Sequence, residues 1–330
     1  MAKCLVTKLN GSVDNNELLR IGEMRIKVES VESPTKDTQG FSCSFSEPTT
    51  FEIVGEGYFT DDTLTENKGK SMVVPANNNT SIIVSQATIV SIRDKYNLST
   101  LDSFVLNGTP YGQNKVLNIE DLKYSHNINH LNLYNMKVTG DIAAFKDIHA
   151  LKELLINSTN ITGDIASLKD ITSLNRINLS DTNVTGDIAS LKNLTALTEI
   201  SLNNIQITGD IAQLESCSNI GRISIQNSVY GDLSKLPEKC FFISFVGSND
   251  ATYTWTSRPS SYNIFATEGE IKVDNIDKML QDLAQCQAAI PSTNESWYKI
   301  IKAIGTRTSA SDAAVQTLQS KGYTVSITPA

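Results

Sequence analysis

Positive charge is scarce in this sequence of 330 residues, where 28 lysines and arginines stand against 36 aspartates and glutamates, for a net charge of −8. A protein that binds nucleic-acid phosphates needs a basic surface, so this balance argues against nucleic acid as a partner. Cysteine is scarce as well, and the cysteines are odd in number and widely spread. We expect reduced, buried thiols rather than a disulfide framework. They are Cys4, Cys43, Cys217, Cys240 and Cys286.

Long apolar runs are also missing. No stretch approaches the roughly 18 apolar residues that a membrane-spanning helix needs. The first residues, MAKCLVTKLNGSVDN, contain neither a long apolar segment nor a small-residue cleavage site of the kind found in secretory signals. We therefore expect a protein that is made in the cytoplasm without a secretion signal and that has no membrane span.

Residues of catalytic chemistry are few. The sequence has three histidines and contains no G-x-S-x-G, P-loop, H-E-x-x-H or Cys-x-x-Cys motif. A histidine in a repeat loop is far more often structural or solvent-facing than catalytic. We therefore predict no enzymatic activity, no catalytic or metal-binding residues and no cofactor.

What the sequence does have is an internal repeat. The pentapeptide TGDIA begins at residues 139, 162, 185 and 208, at a constant interval of 23 residues. Apolar residues recur on the same interval in six columns, one of which consists of Leu131, Leu154, Ile177, Ile200 and Ile223. The spacing L-x-x-L-x-L, followed by V/I-T-G-D-I-A-x-L-K, is typical of a leucine-rich-repeat solenoid.

The repeats resemble the leucine-rich repeat family, and units such as ITGDIASLKDITSL are similar to the subtype that carries L-[ST]-G-x-I-P. The resemblance covers about residues 104–247. It implies one short parallel strand per repeat on a concave face, then a tight turn and extended or 3₁₀ structure on the convex side. The sequence departs from the family at the buried Asn column, where we expect threonine hydroxyls to replace only part of the Asn ladder. That column falls on Met136, Thr159, Thr182, Ile205 and Ser228.

The TGD column allows two interpretations. As scaffold, its glycines provide backbone freedom for the turn, its aspartates cap that turn, and its threonines bond along the solenoid. As a site, its carboxylates, about 5 Å apart in neighbouring coils, form a cation ladder. The glycine-rich nine-residue calcium repeat is absent, so we favour scaffold. The aspartates are Asp141, Asp164, Asp187, Asp210 and Asp232.

A second polar column alternates in charge from repeat to repeat. We expect neighbouring members to pair along the solenoid and to set the register between coils, although each exposed pair contributes only about 0–1 kcal/mol. The column consists of His130, Glu153, Arg176, Glu199 and Arg222.

We predict a candidate binding surface at the solvent-facing positions of the concave strands, which are small, polar and almost uncharged. A protein or a glycan is the expected ligand, and a merely solvated sheet face is the alternative. Sugar sites usually contain stacking aromatic residues, and only one aromatic residue is present, so a protein is favoured. The surface consists of Asn132, Tyr134, Leu155, Asn157, Asn178, Ser180, Ser201, Asn203, Ser224 and Gln226.

The flanking regions predict a mixed β and α/β fold. Alternating apolar residues and turn signals favour a β-sandwich in residues 1–95, before a solenoid with its N-terminal cap in residues 96–247. Residues 248–330 contain two amphipathic segments that predict helices, capped by Asp274 or Asn275 and by Ser311, with Gly322 closing the second. A strand follows each helix, so we expect strand–helix units that continue the parallel sheet and cap the solenoid.

The two ends of the sequence carry a further resemblance. MAKCLVTKLNGSV and GTRTSASDAAVQTLQSKGYTVSIT are similar to leucine-rich proteins encoded by phages of gut anaerobes and by their hosts. This implies a virion-associated protein, for decoration or host attachment, anchored to a capsid or tail by its N-terminal domain. Its repeats would then recognise a partner such as a host surface protein or glycan. The alternative is a bacterial adhesin or an intracellular protein-interaction scaffold.

Overall fold

The computed structural model describes residues 119–122, 125–226, 229–255, 257–289 and 296–330, together with strand segments between residues 3 and 118. The chain forms two compact units, Met1–Gly163 and Asp164–Ala330. Because the division lies inside a repeat, it does not test the boundaries predicted at residues 95 and 247, which stay predictions.

The first unit contains antiparallel strand pairs among β1 to β10 and parallel pairs in the repeats. β1 to β8 pair largely with antiparallel neighbours, such as β3 with β7 and β4 with β6. β9, β11 and β13 form one parallel row, and β10, β12 and β14 form another. The predicted β-sandwich lies outside the described residues except for these strands, and it stays a prediction. The strands are β1 Lys3–Val6, β2 Met24–Val28, β3 Thr38–Phe45, β4 Thr49–Ile53, β5 Tyr58–Thr60, β6 Ser71–Val74, β7 Thr80–Ser85, β8 Ile89–Arg93, β9 Leu101–Val105, β10 Lys115–Asn118, β11 His130–Asn132, β12 Lys137–Asp141, β13 Glu153–Leu155 and β14 Asn160–Asp164.

The second unit has two parallel rows of strands that merge into one. The inner row contains β15, β17, β19 and β21, and the outer row contains β16, β18 and β20. The long strand β21 pairs with both β19 and β20, and the sheet then continues in parallel through β22, β23 and β24. The elements are β15 Arg176–Asn178, β16 Asn183–Asp187, β17 Glu199–Leu202, β18 Gln206–Asp210, β19 Arg222–Gln226, β20 Val229–Asp232, β21 Phe242–Thr252, β22 Ala266–Val273, α1 Ile276–Gln285, β23 Ile300–Ile304, α2 Asp312–Ser320 and β24 Thr324–Thr328.

Each repeat consists of an inner strand, a left-handed turn, an outer strand and a short 3₁₀ helix. The turn residue has a positive φ, for example 57° at Asp181 and 53° at Asn204. Asparagine and aspartate tolerate this conformation better than most residues with a side chain. The 3₁₀ helices are Ile119–Leu122, Ile142–Phe145, Ile165–Leu168, Ile188–Leu191, Ile211–Leu214 and Leu233–Lys235, and two more lie outside the repeats at Ser296–Lys299 and Ser309–Ser311.

The apolar columns form the core of both units, as predicted. Leu131, Leu154, Ile177, Ile200 and Ile223 are all fully buried, and so are nearly all members of the other columns. A side chain of this size stabilises the fold by about 1.5–3 kcal/mol when it is buried. Since each coil covers the apolar edge of the coil before it, the repeated unit is stable only among neighbours.

Threonine replaces the missing Asn ladder only in part, as predicted. The Thr159 hydroxyl donates to the carbonyl of Ile156, and the Thr182 hydroxyl donates to the carbonyl of Leu179, both at 2.7 Å. At the equivalent position of another repeat, Ile205 is buried and has no hydroxyl to offer.

Both predicted C-terminal helices are present, but their caps differ from the prediction. Asn275 and Ser311 occupy the N-cap positions without a side-chain capping hydrogen bond. The side chains bond to neighbouring coils instead, because Asn275 donates to the Tyr253 carbonyl at 3.2 Å and Ser311 donates to Asp277. The predicted glycine closure is confirmed, since Gly322 follows α2 with a φ of +86°.

A buried arginine connects the repeats to the strand–helix region. Arg258 is 1% exposed, and its guanidinium donates to the carbonyls of Ser234 at 3.2 Å and Leu236 at 3.3 Å. It also lies over the Tyr262 ring, 4.6 Å from the centroid, and near Phe265 at 5.3 Å. The cation therefore satisfies backbone carbonyls where the last repeat ends, while aromatic rings surround it.

The cysteines of the described residues are buried thiols, as predicted. Cys217, Cys240 and Cys286 are free and buried. Burial raises the pKa of the Cys240 thiol to about 12, and it also raises the pKa of Cys217 and Cys286. These groups stay protonated and unreactive near neutral pH. The predictions for Cys4 and Cys43 lie outside the residues whose side chains the structure describes.

Candidate binding surface

The aspartates of the TGD column cap the 3₁₀ helices, which confirms the scaffold interpretation of the carboxylate. In the second unit, Asp187 Oδ1 accepts the backbone N–H of Ala189 at 2.8 Å, and Asp210 Oδ1 accepts that of Ala212 at the same distance. The same cap occurs at Asp141, Asp164 and Asp232. Each carboxylate thus satisfies an N–H that the short helix leaves unpaired.

The glycines of the column make room for the aspartate of the preceding coil. Gly186 has a φ of +124°, and a Cβ built on it would lie 2.5 Å from Asp164 Oδ1. Gly209 stands in the same relation to Asp187, with a φ of +112°. The prediction that these glycines provide backbone freedom is confirmed by their positive φ. The close approach of the preceding coil's aspartate is a second reason why glycine is needed here, and it cannot be seen within a single repeat. A comparison of one coil with the next is needed to find it.

The threonines connect coils through the backbone, as predicted for this column. In the first unit the Thr162 hydroxyl donates to the Gly140 carbonyl at 3.3 Å, and in the second unit Thr208 donates to the Gly186 carbonyl at 3.5 Å. Among the described residues, no group of three histidine, cysteine, aspartate or glutamate side chains could hold a metal ion. The aspartates, glycines and threonines of the TGD column thus each make contacts within the scaffold.

The charge column pairs along the sheet, as predicted. His130 Nδ1 lies 2.7 Å from Glu153 in the first unit. In the second unit, Glu199 lies 2.9 Å from Arg176 and 3.6 Å from Arg222. On its other side Arg222 faces Phe242 of the next inner strand, and its guanidinium lies over that ring at 5.4 Å from the centroid.

The charge column also corrects the prediction that the candidate surface is almost uncharged. In β15 the buried Ile177 lies between Arg176 and Asn178, which are both half-buried. Alternate residues of a strand lie on the same face of the sheet. The ion pairs therefore run along the concave face directly beside the asparagine and serine positions.

The first unit contains four of the predicted surface residues. Asn132 lies opposite Leu155 in the β11–β13 pair, and both are half-buried. The side-chain oxygen of Asn132 accepts the backbone N–H of Tyr134 at 3.2 Å. Tyr134 is 45% exposed, and Asn157 is half-buried. The exposed ring beside a fixed asparagine is the most prominent feature of this unit's face.

The second unit places the other six residues along its inner row. Asn178, Ser201 and Ser224 lie side by side in register across β15, β17 and β19. Ser180 and Asn203 follow the inner strands of their coils, each directly after a buried leucine, Leu179 or Leu202. Gln226 ends β19, and its side chain lies outside the described part of the structure.

Two of these positions are less exposed than predicted. Ser180 and Ser224 are only 8% and 6% exposed. Asn203 explains both cases, since its side-chain amide donates to Ser224 Oγ at 2.8 Å and its backbone N–H donates to Ser180 Oγ at 3.1 Å. The polar groups of this surface are therefore largely bonded to one another, which fixes their positions.

The surface extends further than the sequence repeats indicated. Ser224 lies opposite Ser244 of β21, which in turn lies opposite Glu268 of β22. The 23-residue interval is broken here, so the column could not be followed by counting. The similar segments ISIQ at residue 223 and ISFV at residue 243 were the available signal.

A shallow cleft of about 440 Å³ lies beside this surface, where the chain turns from the inner to the outer strands. No charged side chain lines it, and it consists of Thr182, Asn183, Thr185, Asn204, Ile205 and Gln206. None of the helices that the structure describes is long and apolar enough to cross a membrane.

Comparisons with known proteins find similar solved structures but no family. No protein-family model matches the chain, and no curated protein matches it. Among solved structures, it is similar to the internalin InlF of Listeria monocytogenes, with 17% identity over 72% of this chain and 70% of that one, at a TM-score of 0.44. A leucine-rich repeat protein of Leptospira interrogans is 12% identical over 70% of this chain and 62% of that one, at a TM-score of 0.47.

A plant protein is similar to the same degree. The leucine-rich-repeat ectodomain of the receptor kinase GASSHO1/SCHENGEN3 of Arabidopsis thaliana, solved with CASPARIAN STRIP INTEGRITY FACTOR 2, is 16% identical at a TM-score of 0.45. The match covers 64% of this chain and 25% of that one. The structural neighbours are thus leucine-rich repeat proteins, and what this chain has in common with them is a parallel-strand, solenoid-like sheet.

Proposed function

We propose that the chain is a non-enzymatic binding protein whose concave strand face recognises a protein partner. The observation that carries this proposal is the ordered polar face of the second unit. Asn178, Ser201 and Ser224 repeat in register there, beside the ion pairs of Glu199. A partner meets a surface with fixed donor and acceptor positions rather than a mobile one.

Pre-organisation is the physical basis of this proposal. Binding usually costs about 0.5–1.5 kcal/mol for each side chain that must be immobilised. On this face the hydrogen bonds of Asn203 to Ser180 and Ser224 have already fixed the side chains. The remaining lone pairs and N–H groups can therefore bind a partner with a small loss of entropy.

A protein fits this face better than a glycan does. Sugar-binding sites rely on aromatic rings that stack on the sugar. The face of the second unit presents asparagine, serine and alternating charges, and the Phe242 ring beside Arg222 is buried. Alternating charges favour a partner with a complementary pattern, and they make the rate of association depend on salt. The exposed Tyr134 of the first unit offers a single aromatic contact.

The setting that we propose is a phage particle, in which the protein serves for decoration or host attachment. Residues 1–95 would anchor it to the capsid or tail while the repeats bind the partner. The alternative is a bacterial adhesin or an intracellular interaction scaffold. Mass spectrometry of purified particles distinguishes these settings, because only the first places the chain in the particle.

A pair of full-length variants tests the binding face. Ser201→Arg places a bulky charge in the middle of the inner row, and Asn193→Arg places the same charge on an exposed residue after a 3₁₀ helix. Binding to purified particles and to host cell envelopes is measured for both variants. We expect at least a tenfold loss of affinity for Ser201→Arg and no change for Asn193→Arg. Equal binding by the two variants would show that the concave face is not the recognition surface.

A further inference from the structure

The last strand of the second unit leaves one edge of its sheet open. β24 pairs in parallel with β23, from Ile300↔Thr324 to Ile304↔Thr328, and no described strand of this unit lies on its other side. Open edges pair readily with other strands, and proteins usually protect them with charges, proline or a bulge. The strand sequence, TVSIT, contains none of these.

The hydrogen bonds to β23 determine which groups the open edge presents. The N–H of Gly305 donates to the carbonyl of Thr328 at 2.9 Å, so Thr328 turns its polar groups toward β23. Alternate residues of a strand direct their N–H and C=O to opposite sides. Val325 and Ile327 therefore direct their backbone N–H and C=O groups to the open edge. Two N–H and two C=O groups are available there to pair with another strand.

The strand is self-complementary about Ser326. If a second copy lies antiparallel across the edge with the two-fold axis at Ser326, Val325 lies opposite Ile327 of the second copy. Thr324 then lies opposite Thr328 of that copy. Pairs of β-branched residues and of threonines are favourable across strands, at about 0.2–1 kcal/mol each. The same register matches the free N–H and C=O groups, so four hydrogen bonds form.

The charges at this end of the molecule permit such a pairing. Residues 322–330 contain no charged side chain, although the whole chain has a net charge of −8. The ammonium of Lys321 is bound by two carbonyls at the end of α1, at 2.6 and 2.7 Å. Asp312 of α2 forms an ion pair with Arg307 at 2.6 Å. Two copies therefore bring no charged side chain of β24 together at this edge, and the nearest charge is Lys302 of β23, which lies opposite Ser326 and stays one strand away from the second copy.

We propose that β24 is a homodimer interface, in which two copies pair their edge strands antiparallel about Ser326. The proposal is independent of the binding function proposed above. Val325 and Ile327 are half-buried in the single chain, and the second copy covers them further. Pro329 has no N–H to donate, so the ladder ends after Thr328.

A cysteine at the two-fold axis tests the register directly. Opposed residues of a pair that is not hydrogen-bonded have Cα atoms about 4.5 Å apart, which lies within the range that a disulfide spans. Ser326→Cys in the full chain should therefore cross-link on mild oxidation to a species of twice 36.0 kDa. Thr324→Cys is the matched control, because its own counterpart lies about 13 Å away by strand rise. We expect at least tenfold less cross-linking from it, and equal cross-linking would overturn the proposal.

Charge variants test the interface without oxidation. In sedimentation velocity at increasing concentration, the wild-type chain should approach twice 36.0 kDa. Ser326→Lys should stay monomeric, because two ammonium groups meet at the axis beside Lys302, and Ser326→Asp should dimerise more weakly than the wild type, because Lys302 offsets part of its charge. An equal mixture of the two should recover the dimer. A wild-type chain that stays monomeric at its highest soluble concentration, or a mixture that does not associate, would overturn the proposal.

Discussion

The parallel sheet of the second unit packs against two different kinds of element. In the repeats, each inner strand is backed by an outer strand and a 3₁₀ helix that a TGD aspartate caps. After β21, the helices α1 and α2 take that place, and the TGD sequence is absent from residues 233–330. The inner strands pair in parallel throughout this unit, whereas the elements that pack behind them differ between the two regions.

The two regions also hold their coils together differently. The repeats use small contacts that recur from coil to coil, such as the contact of Gly186 with Asp164, which Gly209 and Asp187 repeat. The strand–helix region uses single large contacts, of which the buried guanidinium of Arg258 is the clearest. A single substitution should therefore cost more in the strand–helix region than in a repeat.

The largest effect is expected at Arg258. Arg258→Ala leaves the carbonyls of Ser234 and Leu236 without their donor and opens a cavity beside the Tyr262 ring. We expect a loss of about 3–5 kcal/mol in the free energy of unfolding, measured by urea denaturation. Arg258→Met is the control that keeps most of the volume, and it should lose clearly less. Equal losses for the two variants would assign the effect to hydrogen bonding alone.

A smaller loss is expected at a repeat glycine. Gly186→Val puts a β-branched side chain at a φ of +124° and against Asp164 Oδ1. The backbone strain and the disturbed cap of Asp164 together should lower the free energy of unfolding by about 2–4 kcal/mol. Ser190→Val, in the half-exposed 3₁₀ helix of the same coil, is the matched control. The thermal unfolding midpoint of Gly186→Val should fall well below that of the control, and similar midpoints would remove the special role of the column.

The next effect depends on pH and concerns the contact between α1 and the segment before α2. Burial acts to raise the pKa of Asp277, but hydrogen bonds from Ser311 and Thr308 outweigh it and hold the pKa below its ordinary value. A lowered pKa in the folded state contributes stability above the unfolded pKa of about 3.9, and this is lost as the pH falls further.

Asp277→Asn should therefore lower the free energy of unfolding by about 1 kcal/mol at neutral pH. The difference between the variant and the wild type should shrink below about pH 4. Urea denaturation at several pH values measures it, with Asp170→Asn as the control at an exposed repeat position. A difference that stays constant down to about pH 2, below the ordinary carboxyl range, would contradict the role of the charged carboxylate.

The smallest effect is expected in the charge column. Glu199→Gln removes the partner of both Arg176 and Arg222, but the three side chains are partly exposed. We expect a loss of at most about 1 kcal/mol, which high salt should reduce further. Unfolding at low and high salt measures this loss. A larger loss that salt does not change would mean that the column determines stability rather than register.

The sequence predicted the repeats well because their signals are local and periodic. The column that contains Ile177 and Ile200 is fully buried, and Asp187 caps its helix as expected. Residues that face the same environment in every coil leave a pattern that counting reveals. The prediction that Ser180 and Ser224 are exposed was wrong. Their burial depends on Asn203 of another coil, whose backbone N–H donates to Ser180 and whose side-chain amide donates to Ser224.

The strand–helix region was predicted less completely for the same reason. The position of α1 follows from amphipathic spacing, but Asn275 bonds to Tyr253 instead of capping the helix. Arg258 gave no signal in the sequence, since its carbonyl partners lie more than 20 residues away. Contacts that occur once, between segments without a common period, cannot be inferred from spacing.

The coupling free energy between Asp164 and Gly186 tests most directly whether the TGD column is a contact between neighbouring coils. It comes from urea unfolding of the wild type, Asp164→Ala, Gly186→Ala and the double variant. The Cβ that Gly186→Ala adds would meet Asp164 Oδ1, and Asp164→Ala removes that group. We predict that the double variant is more stable than the sum of the single losses implies, by about 1 kcal/mol or more. Losses that simply add would contradict the account.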